Sequence, residues 1–214
     1  MNPIRRKLIQ ELPIIGPDLI IREFERSDMD LLAAWPSYPH PYASFTFSFS
    51  NLDSADMDSL YRERYGDENR ISLVADHLAS QAVGYISLIE IDWQRRGCRN
   101  IGIRVHPEWC GKGVGTVMLA AVSEWWFCSG MNKLRLDVAS SNQRAIRCYE
   151  KVGFTIYGEF WKAMDDLKGV NFADPKWHFL KGHIRNESRI AELRFLLMQL
   201  DRVGTKVQVI SGPF

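Results

Sequence analysis

Gly111, Gly113 and Gly115 fall within five positions of the run "EWCGKGVGTVML" (108–119), with Cys110 just before them and Lys112 among them. The chain then passes straight into an apolar stretch of helical spacing. Bare backbone at a helix start exposes unpaired NH groups, which bind phosphate through hydrogen bonds and the helix dipole. The dipole adds about 0.3–1 kcal/mol per anionic group. Two phosphate loops fail on detail. A Walker loop needs Ser or Thr after its Gly-Lys, where Gly113 follows Lys112 here. A dinucleotide loop wants Gly or Ala where Thr116 stands, and the preceding strand belongs to an antiparallel group.

Other reactive side chains are scattered. Cys98, Cys110, Cys128 and Cys148 match no CxxC or Cys/His spacing, and His106 and His178 are isolated, so no metal is expected. With 27 Lys and Arg against 26 Asp and Glu, the net charge is +1, and no global field draws the chain toward nucleic acid or an anionic membrane. The start "MNPIRRKLIQELPIIGPDLII" is basic, but Glu11, Pro13, Pro17 and Asp18 interrupt it, and no run of about 18 apolar residues follows. The reading is a cytoplasmic protein with free thiols. At 214 residues and 46% hydrophobic, the chain can bury a sizeable core.

The elements that must position these residues follow from periodicity. "DLIIREF" (18–24) is strand-like, and "ERSDMDLLAAW" predicts a helix capped by Ser27 and stopped by Pro36, Pro39 and Pro41. Asp53 or Ser54 caps a second helix carrying Met57, Leu60 and Tyr61. Asp53, Asp56 and Asp58 could attract a cationic amine, but acids at a helix start also suit its dipole. "ISLVAD" (71–76) and "AVGYISLIEID" (82–92) read as an antiparallel pair, and "RNIGIRV" (99–105) places Ile101, Ile103 and Val105 on one face. A helix over 114–127 is followed by the alternating strand "KLRLDVA" (133–139). The short helix in "SNQRAIRCYEKVGF" is capped by Ser141 or Asn142 and closed by Gly153. "TIYGEFW" and "KWHFLKGHI" suggest a closing pair of strands. The order is mixed α/β (α+β), with one domain at 18–185 after a loose extension at 1–17. In 186–204, Ile190, Leu193, Leu197 and Leu200 predict a C-terminal helix, its apolar face covered by its own domain or by a second subunit in a homodimer. The last ten residues of the tail, which ends at 214, are expected to fray.

The glycine loop, followed by "LRLDVASSNQRAIRCYEKVGF", resembles the acetyl-CoA-binding signature of the GNAT acyltransferases. Their loop, Arg/Gln-x-x-Gly-x-Gly/Ala, falls on Cys110, Gly111, Lys112, Gly113, Val114 and Gly115. Their second pattern falls on Asn142, Ala145, Tyr149, Gly153 and Phe154. The start "DLIIREFERSDMDLLAAW" is similar to the branch of ribosomal-protein N-terminal acetyltransferases. The resemblance implies a mostly antiparallel central sheet, flanked by helices, whose fourth and fifth strands splay apart to admit the cofactor's arm. It implies acetyl-CoA as cosubstrate, with its pyrophosphate on amides from Cys110 to Thr116, its arm beside Ile103 and Val105, and Asn142 and Tyr149 flanking it. Cys110 departs from the pattern, removing a side-chain contact while keeping the backbone ones.

The implied reaction is direct attack of a neutral amine, on a small molecule or a protein N-terminus, upon the thioester. One group must take the amine proton and another must protonate the thiolate. Tyr149, an acid of ordinary pKa near ~10, suits the second role against a thiol near ~8.5, although an aromatic at that helix position could simply pack. Many relatives carry a Glu where Asn100 stands. For the base, Asp137 competes with a solvated strand face shared with Lys133 and Arg135, Glu90 with a structural carboxylate, and both with water relayed from backbone carbonyls. An acyl-CoA-binding module without catalysis is the contrasting reading. The acceptor pocket falls to residues of about 35–70, where the aromatic residues could equally be packing.

Overall fold

The computed structural model describes residues 2–45, 49–164, 167, 170–185 and 191–202. Helix α1 (Pro3–Gln10) and strands β1 (Ile14–Ile15) and β2 (Leu19–Glu23) open the chain, followed by helices α2 (Arg26–Ala33) and α3 (Ser54–Gly66). Strands β3 (Ile71–His77), β4 (Ser80–Asp92) and β5 (Gly97–Val105) lead to helix α4 (Val114–Cys128). Strand β6 (Lys133–Ala139), helix α5 (Gln143–Val152) and strands β7 (Thr155–Ala163), β8 (Ile184–Arg185) and β9 (Glu192–Asp201) complete it. The strands form one sheet in the order β1-β2-β3-β4-β5-β6-β9-β7, with β8 on β9. Every pairing is antiparallel except β5 with β6. The architecture is the mixed α/β, mostly antiparallel one that the sequence implied.

The two faces of the sheet have separate cores because strand side chains alternate. Leu73, Ile86, Leu88 and Ile101 face α4, which contributes Val114, Met118, Leu119, Val122 and Trp126. Gly84 lets α4 lie close, since a Cβ there would stand 2.7 Å from the Met118 sulfur. On the other face Val74 and Tyr85 meet Met29 and Leu32 of α2 and Met57 of α3. Helix α2 is tied down by Asp28, which is 1% exposed and takes a two-armed bond from Arg22 at 2.8 and 2.9 Å. Arg22 also reaches Asp76 at 2.8 Å. Removing one partner of such a buried pair costs about 3–5 kcal/mol.

Several local expectations are corrected. The chain start is not loose: Asn2 caps α1 and Leu8 is fully buried, its carbonyl accepting the Trp125 indole NH at 3.3 Å. Ser27 lies inside α2, whose cap is Glu25 in a reciprocal box with Asp28. "KWHFLKGHI" is no strand for most of its length, because Asp174 and Pro175 start a 3₁₀ turn over Pro175–Leu180 that leaves only β8 extended. The predicted C-terminal helix is a strand. Residues 192–201 pair with β6 on one side and β7 on the other, so β9 lies within the sheet and the fold does not close at 185. Residues 186–190 and 203–214, which include Ile190 and the tail expected to fray, lie outside the described residues. The apolar side chains of β9 are covered by the chain's own domain, with Leu193, Met198 and Leu200 buried.

A strand and a helix bury different side chains here. Met198 is fully buried on β9 but falls off the stripe Leu193, Leu197, Leu200. Met198→Ala is expected to cost about 2–5 kcal/mol in urea unfolding. A loss under about 0.5 kcal/mol, the range of an exposed position, would contradict the placement of β9.

Candidate active site

Strands β5 and β6 pair at only two positions, Gly97 with Lys133 and Cys98 with Leu134, and then part. Beyond that point β5 keeps β4 on its far side and β6 keeps β9 on its own, which leaves the two facing edges apart. Ladder bonds alternate in an antiparallel pair. His106 donates to the Val83 carbonyl at 2.8 Å, so the NH and carbonyl groups of Ile103 and Val105 point the other way, toward the opening. One of them is already engaged: the Tyr38 hydroxyl donates to the Val105 carbonyl at 2.6 Å, and the Cys110 thiol approaches the same oxygen at 3.5 Å.

Helix α4 begins at the mouth of this opening. Its N-cap is Gly113 at φ +87°, a left-handed conformation suited to glycine, and no side chain caps the helix. The first-turn amides of Val114 and Gly115 are therefore directed outward with the positive end of the dipole. Gly115 also permits the close approach of α4 to β5, since a Cβ there would meet Val105 Cγ2 at 3.2 Å. Together these elements line an open cleft of about 900 Å³.

The predicted residues divide. Val105, Cys110, Gly111, Gly113, Gly115, Thr116, Ile103, Asn142, Tyr149 and Asp137 all line the cleft. Lys112 and Val114 do not: the Lys112 ammonium lies 5.1 Å over the Trp109 ring, and Val114 is fully buried in the core below. Asn142 caps α5, its Oδ1 accepting from the Ala145 NH at 3.2 Å, so that oxygen is spent on the helix. Tyr149 is 6% exposed, and its hydroxyl makes no hydrogen bond among the described residues. Burial pushes this phenol well up, and the nearby Cys148 and Asp137 add to the effect. Asp137 is half-buried in the β6 wall rather than on a solvated face. Burial raises its carboxyl above the usual range, opposed by the Lys162 ammonium. Glu90 does not join them: it is exposed, and its φ of +55° breaks the alternation that would have set it beside Ile86 and Leu88.

Three participants escaped the sequence reading. Tyr38 reaches across from the loop after α2. Arg144 of α5 stacks over the Tyr42 ring at 3.8 Å and faces the Cys110 thiol. Arg104 stands on the cleft side of β5. The signal for Arg104 was present, as the charged member of the face Asn100, Gly102, Arg104. Among the described residues no group of three or more His, Cys, Asp or Glu is arranged to hold a metal, and no helix is long and apolar enough to cross a membrane.

A sheet parted beside a glycine-capped helix defines a site for an extended, phosphate-bearing cosubstrate. Residues 32–154 match the acetyltransferase (GNAT) family, and the chain belongs to that family. It is similar to the spermidine N(1)-acetyltransferase of Vibrio cholerae, 25% identical over 155 residues, 67% of this chain and 83% of that protein. It also resembles the aminoglycoside N(6')-acetyltransferase type 1 of Klebsiella pneumoniae, 47% identical over 149 residues, 64% of this chain and 74% of that one. The fold is shared with the spermidine N-acetyltransferase from Vibrio cholerae in complex with CoA and spermine. The TM-score is 0.60 at 20% identity, covering 87% of this chain and 97% of that one. The chain is thus an N-acetyltransferase with acetyl-CoA as its acetyl donor, which sets aside the module without catalysis. These relatives are named for spermidine and aminoglycosides, and they lend no particular support to the ribosomal-protein branch suggested by the chain start.

The residues present fit that donor: uncapped α4 amides for phosphate, an open β5 edge for an amide-bearing arm, and the Arg144 cation where Cys110 supplies none. Cys110 and Cys148 line the cleft, whereas Cys128 is exposed elsewhere and Cys98 is buried with its thiol pushed up to about 12. With iodoacetamide at neutral pH, Cys128 should be labelled first and Cys98 last. Saturating CoA should protect Cys110 and Cys148 without slowing Cys128. Peptide mass spectrometry showing Cys110 labelled at the same rate with and without CoA would contradict this site.

Proposed function

We propose that the cleft acetylates a primary amine of a small molecule, with Tyr149 as proton donor and Asp137 as proton acceptor. The observation that carries this reading is that both residues line the cleft opened by the parting of β5 and β6, which the uncapped start of α4 also lines through Gly113 and Gly115. When bound, acetyl-CoA supplies the acetyl thioester. The amides of Gly111, Gly113, Val114 and Gly115, the β5 edge at Ile103 and the Arg144 guanidinium are the groups assigned to hold it. The Val105 carbonyl, already engaged by Tyr38, is a weaker candidate.

Transfer releases one proton from the amine and requires one at the departing sulfur. Asp137 is suited to receive the first, because burial makes its carboxylate a stronger base than an exposed aspartate. Tyr149 keeps its proton throughout the physiological range, since burial disfavours the phenolate, and it can give that proton to a thiolate formed beside it. Asn100 cannot accept a proton, and exposed Glu90 lies outside the cleft wall, which leaves Asp137 as the carboxylate of choice. A small-molecule acceptor is preferred to a protein N-terminus because the relatives are named for small amines. Four free thiols suit the cytoplasm.

Tyr149→Phe should lower kcat by roughly 10²-fold or more while calorimetry shows CoA bound with unchanged affinity. In wild type, activity should fall on the acid side as Asp137 is protonated, at a pH above the usual aspartate range. Asp137→Asn should lower kcat and remove that acid limb. Normal turnover in Tyr149→Phe would exclude the phenol as donor, and an intact acid limb in Asp137→Asn would return the base to a water relay.

A further inference from the structure

The end of the cleft on the α2–α3 side of the sheet is walled by cations. Ile101 turns into the main core, which puts Asn100, Gly102 and Arg104 of β5 on the opposite face. The Arg104 guanidinium lies between two rings, 5.2 Å from the Trp35 centroid and 5.2 Å from that of Phe49. Its Nε and Nη1 are buried and make no hydrogen bond. Its ionisable neighbours are Tyr38, Tyr85 and Arg64, with no carboxylate among them, and desolvation lowers its pKa. Arg64 of α3 lies 5.3 Å over the same Phe49 ring, with Nη1 3.4 Å from the Tyr85 hydroxyl. Arg70 lines the cleft too, its Nε buried and 3.7 Å from an Asp67 oxygen. Asp137 is the one carboxylate in the cleft wall among the described residues, and it faces Lys162.

A guanidinium with two buried nitrogens that make no hydrogen bond is an unfavourable arrangement unless an acceptor arrives to use them. The stacking rings hold the fork in place, and its donors match carboxylate or phosphate oxygens in planar, two-armed fashion. A polycation at this end would instead meet three arginines of like charge in a partly dry cleft, where screening is weak.

We propose that the acceptor is an amine that also bears an anionic group, a carboxylate or a phosphate, which Arg104 anchors while Arg64 and Arg70 add charge. Wholly cationic polyamines and aminoglycosides are then poor acceptors for this chain. The inference rests on the reading of the cleft as an acetyl-transfer site and names the acceptor class of that site.

The test separates binding from transfer. Calorimetry on the full chain without CoA measures β-alanine, O-phosphoethanolamine and spermidine, for wild type and Arg104→Gln. An anionic amine is expected to bind more tightly than spermidine, and Arg104→Gln is expected to weaken it at least tenfold while CoA binding stays unchanged. The tighter of the two anionic probes identifies carboxylate or phosphate. The inference is overturned if spermidine binds more tightly than both, if neither anionic amine binds, or if the substitution leaves their affinity unchanged in a chain that still binds CoA. Thiol release from acetyl-CoA with the same amines tests the underlying reading: absence of release with every acceptor contradicts the enzyme, while the titrations still decide the anionic subsite.

Discussion

The structure turns on one interrupted pairing. Strands β5 and β6 share two register positions and then part, so a row of backbone donors and acceptors that a continuous sheet would satisfy is left for something else. Leaving such groups unpaired in a protein interior is costly, and the protein meets that cost only in part. On the β5 side it covers one carbonyl with Tyr38 and leaves the rest of the edge facing the cleft. Strand β9 supports β6 from its other edge, pairing from Lys133 to Ala139, so one wall of the opening is held by residues 192–201 although none of them is assigned to the chemistry.

The same parting brings unlike groups into one volume. Helix α4 starts at the mouth of the gap with outward amides, α5 carries Tyr149 to its side, and β6 carries Asp137 along its wall. Burial pushes both pKa values up, which suits the opposite roles proposed for the two groups. The phenol stays protonated and able to donate, while the carboxylate becomes a stronger base. The Lys162 ammonium opposes the second shift.

Much of this was legible before any coordinates. Glycines at 113 and 153 marked the start of α4 and the end of α5 because both positions are left-handed, and Asp53 and Asn142 were readable as caps. Where the reading failed, the physical reason is local. Strand β9 lies between two strands with both faces covered, so Leu193, Phe195, Leu196, Leu197 and Met198 show no alternation, and the spacing of Leu193, Leu197 and Leu200 imitates a helix. Ser27 lost the cap of α2 to a reciprocal Glu25–Asp28 pair, because Asp28 is held in place by Arg22 from a neighbouring strand. Glu90 left its expected face through a positive φ that no pattern of residue types announces. Arg104 stands out less because the apolar alternation of Ile101, Ile103 and Val105 dominates the pattern of its strand.

The central claim is that the cosubstrate enters the gap between β5 and β6, with its diphosphate on the α4 amides. A crystal structure of the protein with CoA tests this most directly. The account predicts diphosphate density against the backbone of Gly111 to Thr116 and the thiol within reach of the Tyr149 hydroxyl. Density for CoA anywhere outside that gap, or a thiol directed away from Tyr149, would contradict it.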